Sequence, residues 1–142
     1  MSKNIIIVGA GIAGLMCAQR LTKSGLSVSI FDKSRGVGGR IGTRRIENGI
    51  FNHGASQIPN FRKQAKIPAF VKDYFEKAVS ERILVPDGKS FTAFSSMKTL
   101  TSDLSLGIDI KKEIEIVGLK NKKVGIELLL RNNPHSQLHE NI

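Results

Sequence analysis

Three glycines near the amino terminus have the spacing of a phosphate-binding turn. Gly9, Gly11 and Gly14 form a G-x-G-x-x-G motif. In such a turn the first glycine permits a tight bend, the second lets the backbone approach a pyrophosphate, and the third lets a helix pack closely on a strand. The N–H groups that open the following helix would then face the phosphates. Because the motif alone is weak evidence, the elements around it decide.

Those elements are predicted to form a βαβ unit. Ile5 to Val8 is a β-branched run without polar alternation, which predicts a central strand buried on both faces of a parallel sheet. An apolar stripe from Leu15 to Leu21 predicts a helix that stops at Ser24-Gly25, and Ser27 to Phe31 predicts a second strand. Asp32 follows that strand, where it could accept hydrogen bonds from a ribose 2′-hydroxyl and repel a 2′-phosphate.

A second glycine-rich segment, from Lys33 to Arg40, lies where the basic residues are densest. The chain has 22 Lys and Arg against 12 Asp and Glu, a net charge of +10, which favours an anionic partner. Arg40, beside Gly38 and Gly39, is a candidate phosphate ligand because a guanidinium can chelate phosphate oxygens in two places. Nucleic-acid binding is disfavoured, since the aromatic residues are few and do not interleave with the basic ones.

A family resemblance enters with these residues. VGAGIAGLMCAQRLTKSGLSVSIFDKSRGVGGR resembles the FAD-binding sequence of amine-oxidase-type flavoenzymes. FDKSRGVGGR, with the following Thr43-Arg44-Arg45 and FNHGA, most resembles the renalase-like branch of NAD(P)/FAD-dependent oxidoreductases. The resemblance is close from Asn4 to about Ala55 and traceable to about Lys123. It implies FAD as the cofactor, with hydride passing from a reduced nicotinamide or an amine to FAD and then to oxygen.

The resemblance also implies roles for individual residues. The glycines and the Ala13 N–H would hold the FAD pyrophosphate, Asp32 the adenosine ribose, and Arg40 would lie along the pyrophosphate. The segment His53-Gly54-Ala55 would pass close to the flavin. The family pattern D-x-G-A-Q reads NHGAS from Asn52 to Ser56 here, so the acid and the glutamine are both replaced. No catalytic residue is assigned, and the candidate cofactor-binding residues are Gly9, Gly11, Ala13, Gly14, Asp32, Lys33, Gly38, Gly39, Arg40 and Ala55.

The expected fold class is α/β: a Rossmann-like FAD-binding βαβ unit with a parallel sheet plus added antiparallel strands, apparently truncated. The parallel sheet would combine residues 5–8, 27–31 and 108–117 and would leave an exposed edge. Residues 1–130 would form the incomplete FAD-binding domain, residues 56–105 part of a substrate-domain insertion, and residues 131–142 a polar tail. Further elements are predicted as a hairpin tip at 47–49, a helix at 69–79, a strand pair at 83–85 and 90–94, a weak helix at 96–106 and a strand at 124–130.

The remaining reactive side chains have simpler interpretations. Cys17, the only cysteine, is predicted to be a packed small hydrophobe, and its isolation favours a reducing, cytoplasmic compartment. The apolar run from Ile5 to Ala18 is about 14 residues, against about 20 for a membrane span, so no membrane anchor is expected. Arg44 and Arg45 are predicted to be solvated. His53 is equally a flavin neighbour or a turn residue, and His135 and His139 are not expected to bind a metal.

Several functions therefore remain open at the level of sequence. The preferred one is the FAD-binding part of a renalase-like or amine-oxidase-type oxidoreductase, inactive alone because the segments that close the flavin pocket are missing. The alternatives are a non-catalytic dinucleotide-binding module, a split subunit completed by a complementary chain, and an NAD-binding Rossmann domain from another reductase class.

Overall fold

A computed structural model describes residues 4–52, 54–123 and 125–131, without the side chain of Arg45. The chain divides into two compact units: unit 1 comprises the residues up to Gly36 and those from Gly107 onward, and unit 2 comprises Val37 to Leu106. The helices are α1 (Ile12–Lys23), α2 (Ala69–Ser80) and α3 (Met97–Leu104). The strands are β1 (Asn4–Val8), β2 (Ser27–Phe31), β3 (Thr43–Ile46), β4 (Gly49–Asn52), β5 (Gln57–Pro59), β6 (Leu84–Asp87), β7 (Ser90–Ala93), β8 (Asp109–Lys111), β9 (Ile116–Asn121) and β10 (Ile126–Leu130).

Unit 1 contains the predicted parallel sheet, in the order β1-β2-β8. Ile7 lies opposite Ile30, and Ile30 opposite Ile110. Helix α1 packs against β2 and β1, and the completely buried side chains of Leu15, Ile30 and Phe31 belong to the core. The βαβ unit is therefore confirmed, and the α/β class with it.

The predicted central position of β1 is wrong for the part of the chain that the structure describes. Strand β2 is central, and β1 pairs with β2 alone among the described strands. Ile5, Ile6 and Ile7 are only half-buried, and Val8 is 61% exposed. An apolar run of this kind predicts a strand that is covered on both faces, but a sheet of three short strands with one packed helix leaves much of β1 in contact with water.

Helix α1 ends as the sequence predicts. The N–H of Leu26 donates to the carbonyl of Leu21, and that of Gly25 donates to the carbonyl of Thr22. This Schellman arrangement needs a left-handed residue, which Gly25 supplies with a φ of 79°. Cys17, by contrast, is exposed on this helix, so its predicted packing is wrong. The buried side of α1 is formed by Leu15, Met16 and Ala18.

The strand predicted from Ile108 to Val117 is interrupted. Strand β8 ends at Lys111, Glu113 adopts a φ of 59°, and the chain resumes as β9, which pairs antiparallel with β10. The alternating isoleucines on their own predict one continuous strand, and the turn at Glu113 interrupts it. The β9–β10 pair exposes large apolar side chains, among them Val117 and Leu119.

Unit 2 supplies the added antiparallel strands. Strands β3 and β4 form the predicted hairpin, and β5, β7 and β6 form a sheet in that order. Strand β5 was not predicted, because three residues including Pro59 carry little strand signal. Helix α2 packs against β6 and against the 3₁₀ turn Phe61–Lys63, while α3 packs against β7. Phe61 is 1% exposed, and its ring centroid lies 5.1 Å from that of Phe75 and 4.9 Å from that of Phe91.

Two polar contacts join the elements of unit 2. The Arg62 guanidinium donates two hydrogen bonds to the Glu76 carboxylate, and these bonds hold the pKa of Glu76 below its usual value. The Tyr74 hydroxyl donates to Asp103 at 2.9 Å, and burial raises the pKa of Tyr74 well above its usual value. Within the described ranges, no helix is long and apolar enough to cross a membrane.

Candidate functional site

The glycine turn connects β1 to α1 by a backbone path that only glycine tolerates at its first position. Gly9 has a φ of 104°, in the left-handed region, and its N–H donates to the carbonyl of Phe31 at 2.7 Å. The next residue, Ala10, is completely buried. The turn is therefore fixed to the carboxyl end of β2, which is where Asp32 follows.

The other two glycines of the motif differ in their surroundings. A Cβ at Gly14 would collide with the carbonyl oxygen of Gly9, so Gly14 allows α1 to pack against the turn. Gly11 has a φ of −75°, which any residue can adopt, and no described heavy atom lies within 4 Å of a Cβ built there. The fold does not explain Gly11. The open space beside it is where a pyrophosphate could approach the backbone.

The first turn of α1 carries a positive potential toward that space. Gly11 is the residue before the helix, and the first helical bond runs from the Leu15 N–H to the Gly11 carbonyl. The N–H groups of Ile12, Ala13 and Gly14 lie before that bond in the first turn and therefore have no acceptor within the helix. This turn contains no acidic residue, while Arg20 and Lys23 lie in the last turn. The helix start is therefore electrostatically suited to an anion.

Asp32 links the glycine turn to the loop after β2. Its Oδ2 accepts a hydrogen bond from the Ala10 N–H at 2.6 Å, and its Oδ1 accepts one from the Ser34 N–H at 2.7 Å. An ionised carboxylate has about four lone-pair positions, so acceptor capacity remains for ribose hydroxyls. These bonds fix the carboxylate beside the turn, and Lys33 is exposed next to it.

The four remaining candidate residues belong to unit 2. Gly38 and Gly39 have positive φ angles of 123° and 53°, and the 3₁₀ turn Gly39–Ile41 follows, with Arg40 exposed. The Arg40 carbonyl accepts a hydrogen bond from the Ala55 N–H at 2.9 Å. A Cβ at Gly54 would collide with the same carbonyl. The structure thus brings Arg40 and Ala55 together through their backbones.

Sequence reasoning missed the role of Asn52, which stands where the resembling family has an acid. The Asn52 Oδ1 accepts hydrogen bonds from the Thr43 hydroxyl at 2.9 Å and from the Met97 N–H at 3.2 Å. The Thr43 hydroxyl oxygen in turn accepts from the Lys98 N–H at 3.1 Å. The β3–β4 hairpin therefore caps α3 from outside the helix. No local sequence pattern indicates this, because Asn52 and Met97 are far apart in the chain.

Other predicted side chains are placed as follows. Arg44 is exposed, as predicted, and the side chain of Arg45 lies outside the described part of the chain. His53, His135 and His139 also lie outside the described residues. Among the described residues, no three His, Cys, Asp or Glu side chains are grouped as a metal site.

Comparison with known proteins finds a described domain family that is similar to the segment around the glycine turn. Residues 7–74 match the NAD(P)-binding Rossmann-like domain. The chain is 30% identical over 112 residues to a 4,4′-diapophytoene desaturase from Staphylococcus haemolyticus, a match that covers 79% of this chain and 19% of that protein. A 4,4′-diaponeurosporene oxygenase from Staphylococcus aureus is 25% identical over 109 residues, with 69% of this chain and 21% of that protein covered. The chain thus spans about a fifth of the length of these curated relatives.

Solved structures show the same fold. A putrescine oxidase solved with putrescine bound superimposes with a TM-score of 0.63 at 13% identity, over 92% of this chain and 55% of that one. An oxidoreductase from Methanosarcina mazei gives a TM-score of 0.63 at 13% identity, over 92% and 57%. The narrower resemblance to the renalase-like branch stays a prediction. Sequence and fold together show a dinucleotide-binding, Rossmann-like domain that is similar in sequence to a diapophytoene desaturase and in fold to a putrescine oxidase.

Proposed function

We propose that this chain is the FAD-binding part of a flavin-dependent oxidoreductase. The observation that carries the proposal is the open space at Gly11, a glycine that the fold itself does not require. The first turn of α1 opens beside it, and the Asp32 carboxylate is hydrogen-bonded to the same turn through Ala10. A dinucleotide would satisfy both features, because Rossmann-like folds hold its pyrophosphate at the helix start and its ribose at the acid that follows the second strand.

Each residue has a defined task in this proposal. The N–H groups of Ile12, Ala13 and Gly14 would hold pyrophosphate oxygens, with the helix dipole adding to the attraction. Asp32 would accept hydrogen bonds from the ribose hydroxyls. The proposal retains Arg40 as a phosphate ligand, since its side chain is exposed and its backbone is fixed by Ala55. Bound FAD would supply the electron-accepting ring, while these residues bind and orient it.

The activity of the whole protein is proposed from the resemblance and the relatives. We propose hydride transfer from a reduced nicotinamide or an amine to the flavin. The relatives are named as a diapophytoene desaturase, a diaponeurosporene oxygenase and a putrescine oxidase. Because the chain spans about a fifth of the curated relatives, the substrate-binding residues are proposed to lie outside the segment that matches them. The single Cys17 supports the cytoplasm as the proposed compartment.

The proposed domain organisation follows from the order of the units. Along the sequence, unit 2 is one continuous segment that follows the first part of unit 1 and precedes the second. This order supports a nucleotide-binding domain interrupted by an insertion, of which residues 56–105 would be part.

Titration with FAD tests the cofactor assignment. The purified chain should quench flavin fluorescence saturably, and Asp32→Ala should weaken binding by at least about tenfold, the usual effect of losing hydrogen bonds to a charged group. Asp73→Ala removes a carboxylate from the exposed surface of α2 and serves as the matched control. Asp32→Asn keeps the side chain's shape and should weaken binding less. Unfolding curves show whether each variant is folded. The proposal fails if FAD does not bind, or if folded Asp32→Ala and Asp73→Ala bind it equally.

NADH titrated in parallel tests the nicotinamide alternative. The match to a family described as NAD(P)-binding favours that candidate. The glycine-rich segment before Arg40 argues against it, because a nicotinamide-binding unit does not require a second such turn. We expect FAD to compete NADH away from the chain, and stronger binding of NADH than of FAD would reverse the assignment.

The exposure of β1 favours a second candidate, a subunit completed by a complementary chain. Strand β1 has an apolar sequence, yet it is half-buried and pairs with only one described strand. A complementary chain carrying the rest of the family's sequence should increase flavin retention on co-purification. Retention that is the same with and without that chain would refute the split-subunit hypothesis.

A further inference from the structure

The loop that follows Asp32 is held by a second segment of unit 1. The Ile114 N–H donates to the Asp32 carbonyl at 3.0 Å, and the Glu113 N–H donates to the Ser34 carbonyl at 3.3 Å. Glu113 has a φ of 59°, a left-handed conformation that is uncommon outside glycine. The backbone of Glu113 is therefore tied directly to the loop in which Asp32 would bind a ribose.

The Glu113 side chain faces a cation of that loop. Its Oε1 lies 3.4 Å from the Arg35 Nε, and the two side chains are 67% and 93% exposed. Arg35 follows Asp32 closely in the chain. An arginine near the ribose-binding acid is the group that accommodates a 2′-phosphate in sites that take NADP. In this chain that guanidinium is instead paired with a carboxylate.

The basic residues of this region would favour a 2′-phosphate. Lys33 lies next to Asp32, and Lys111 and Lys112 precede Glu113, with the Lys111 ammonium 5.2 Å from the centre of the Phe31 ring. Asp32 opposes this positive charge but already accepts two backbone hydrogen bonds. Glu113 is therefore the second negative charge at the ribose end of the proposed site.

We propose that Glu113 is a specificity-determining residue that weakens the binding of 2′-phosphorylated adenine nucleotides. By pairing with Arg35, Glu113 prevents this guanidinium from attracting a 2′-phosphate. The site then favours nucleotides with a free 2′-hydroxyl over 2′-phosphorylated ones such as NADP(H). The inference rests on the proposed function, since it requires an adenosine ribose at Asp32.

Two small nucleotides test this role without the flavin. Binding of adenosine 5′-diphosphate and adenosine 2′,5′-bisphosphate is measured by calorimetry at low salt on the full chain. Glu113→Gln should strengthen binding of the bisphosphate about fivefold, the upper effect of an exposed ion pair, and leave the diphosphate unchanged. Adding Arg35→Gln should abolish the gain. The gain should also shrink in about 1 M salt, where exposed charges are screened.

Glu115→Gln is the matched control. It removes the same charge from the same segment, but Glu115 pairs with Arg131, 3.2 Å away. In Glu115→Gln the ratio of the bisphosphate affinity to the diphosphate affinity should stay at the wild-type value. The inference alone is overturned if the diphosphate binds but Glu113→Gln leaves the ratio unchanged, or if the gain persists without Arg35. If the wild-type chain binds neither the diphosphate nor FAD, the proposed function is refuted and the inference with it.

Discussion

Gly11 of unit 1 differs from Gly38 and Gly54 of unit 2 in its structural surroundings. In unit 2, Gly54 has a φ of 131°, and a Cβ there would collide with the Arg40 carbonyl. Gly38 has a φ of 123°, and a Cβ there would lie 3.3 Å from the Thr101 hydroxyl oxygen. In unit 1, Gly11 has neither a positive φ nor a close neighbour within the described chain. Because Gly11 also lies at the start of α1, its open side leaves room for an anion to approach the backbone there.

The polar residues Asn52 and Asp32 show the same difference. Asn52 of unit 2 uses its side-chain oxygen to accept from Thr43 and from the start of α3, so its position is explained by folding. Asp32 of unit 1 also accepts two hydrogen bonds, but its carboxylate retains acceptor capacity beside an open helix start. The comparison explains Gly54 and Asn52 of unit 2 by packing and capping, and it supports the proposed nucleotide binding at Gly11 and Asp32 of unit 1.

The largest expected effect tests the packing of unit 2. Phe61→Ala should lower the free energy of unfolding by about 4 kcal/mol, because it empties a buried position between Phe75 and Phe91. Phe94→Ala is the control, since Phe94 is 74% exposed and should change stability by less than about 0.5 kcal/mol. Urea unfolding measures both. Similar losses in the two variants would contradict the buried position of Phe61.

The next effect separates two glycines of one motif. Gly14→Ala should destabilise the chain by about 2 kcal/mol, because the added Cβ meets the Gly9 carbonyl. Gly11→Ala should cost less, under about 1 kcal/mol, because its Cβ enters open space and only the preference for glycine over alanine at a helix N-cap is lost. Yet Gly11→Ala should weaken FAD binding by at least about tenfold, because that space is needed by the pyrophosphate. Unchanged FAD affinity in Gly11→Ala would remove the distinction on which the proposed site depends.

The local elements of this fold could be predicted because their signals are local. The β1–α1–β2 unit, the β3–β4 hairpin and α2 follow from β-branched runs, turn glycines and helical spacing over short segments. The position of Asp32 beside the glycine turn follows from the same unit, since the carboxyl ends of parallel strands share one edge. Gly25 likewise marked the end of α1 correctly.

The rest depends on contacts between distant residues. The exposure of Val8 depends on how many strands join the sheet, which the apolar sequence of β1 does not specify. The Asn52 cap joins residues far apart in sequence, and the turn at Glu113 breaks an alternating pattern without glycine or proline. The exposure of Cys17 depends on which side of α1 is covered. Such features are set by tertiary contacts rather than by propensity.

An effect of intermediate size concerns the pH dependence of stability and the hydrogen bond from Tyr74 of α2 to Asp103 of α3. Burial, followed by the hydrogen bond to Asp103, raises the pKa of Tyr74 above its usual value. Its contribution to stability should therefore be complete below about pH 10, where the unfolded chain is still protonated, and should fall as the pH rises further. Because the side chain is only part-buried, the expected slope is below about 1 kcal/mol per pH unit. Tyr74→Phe should lower stability by about 1.5 kcal/mol at neutral pH and remove that alkaline slope. Denaturant unfolding from pH 7 to 11 measures both effects, and an unchanged slope in the variant would assign the alkaline loss to other groups.

The smallest expected effect tests the capping role of Asn52. Asn52→Ala should cost about 1 kcal/mol, because the Met97 N–H and the Thr43 hydroxyl lose their acceptor. Asn52→Asp should retain or slightly increase stability, since a carboxylate accepts the same bonds and is favoured at a helix start. Asn48→Ala, at the exposed tip of the same hairpin, is the control and should have little effect. Thermal unfolding ranks the three variants. If Asn52→Ala matches Asn48→Ala in stability but weakens FAD binding, Asn52 would have to be reassigned from capping α3 to cofactor binding, and the contrast between the two units would fail at that residue.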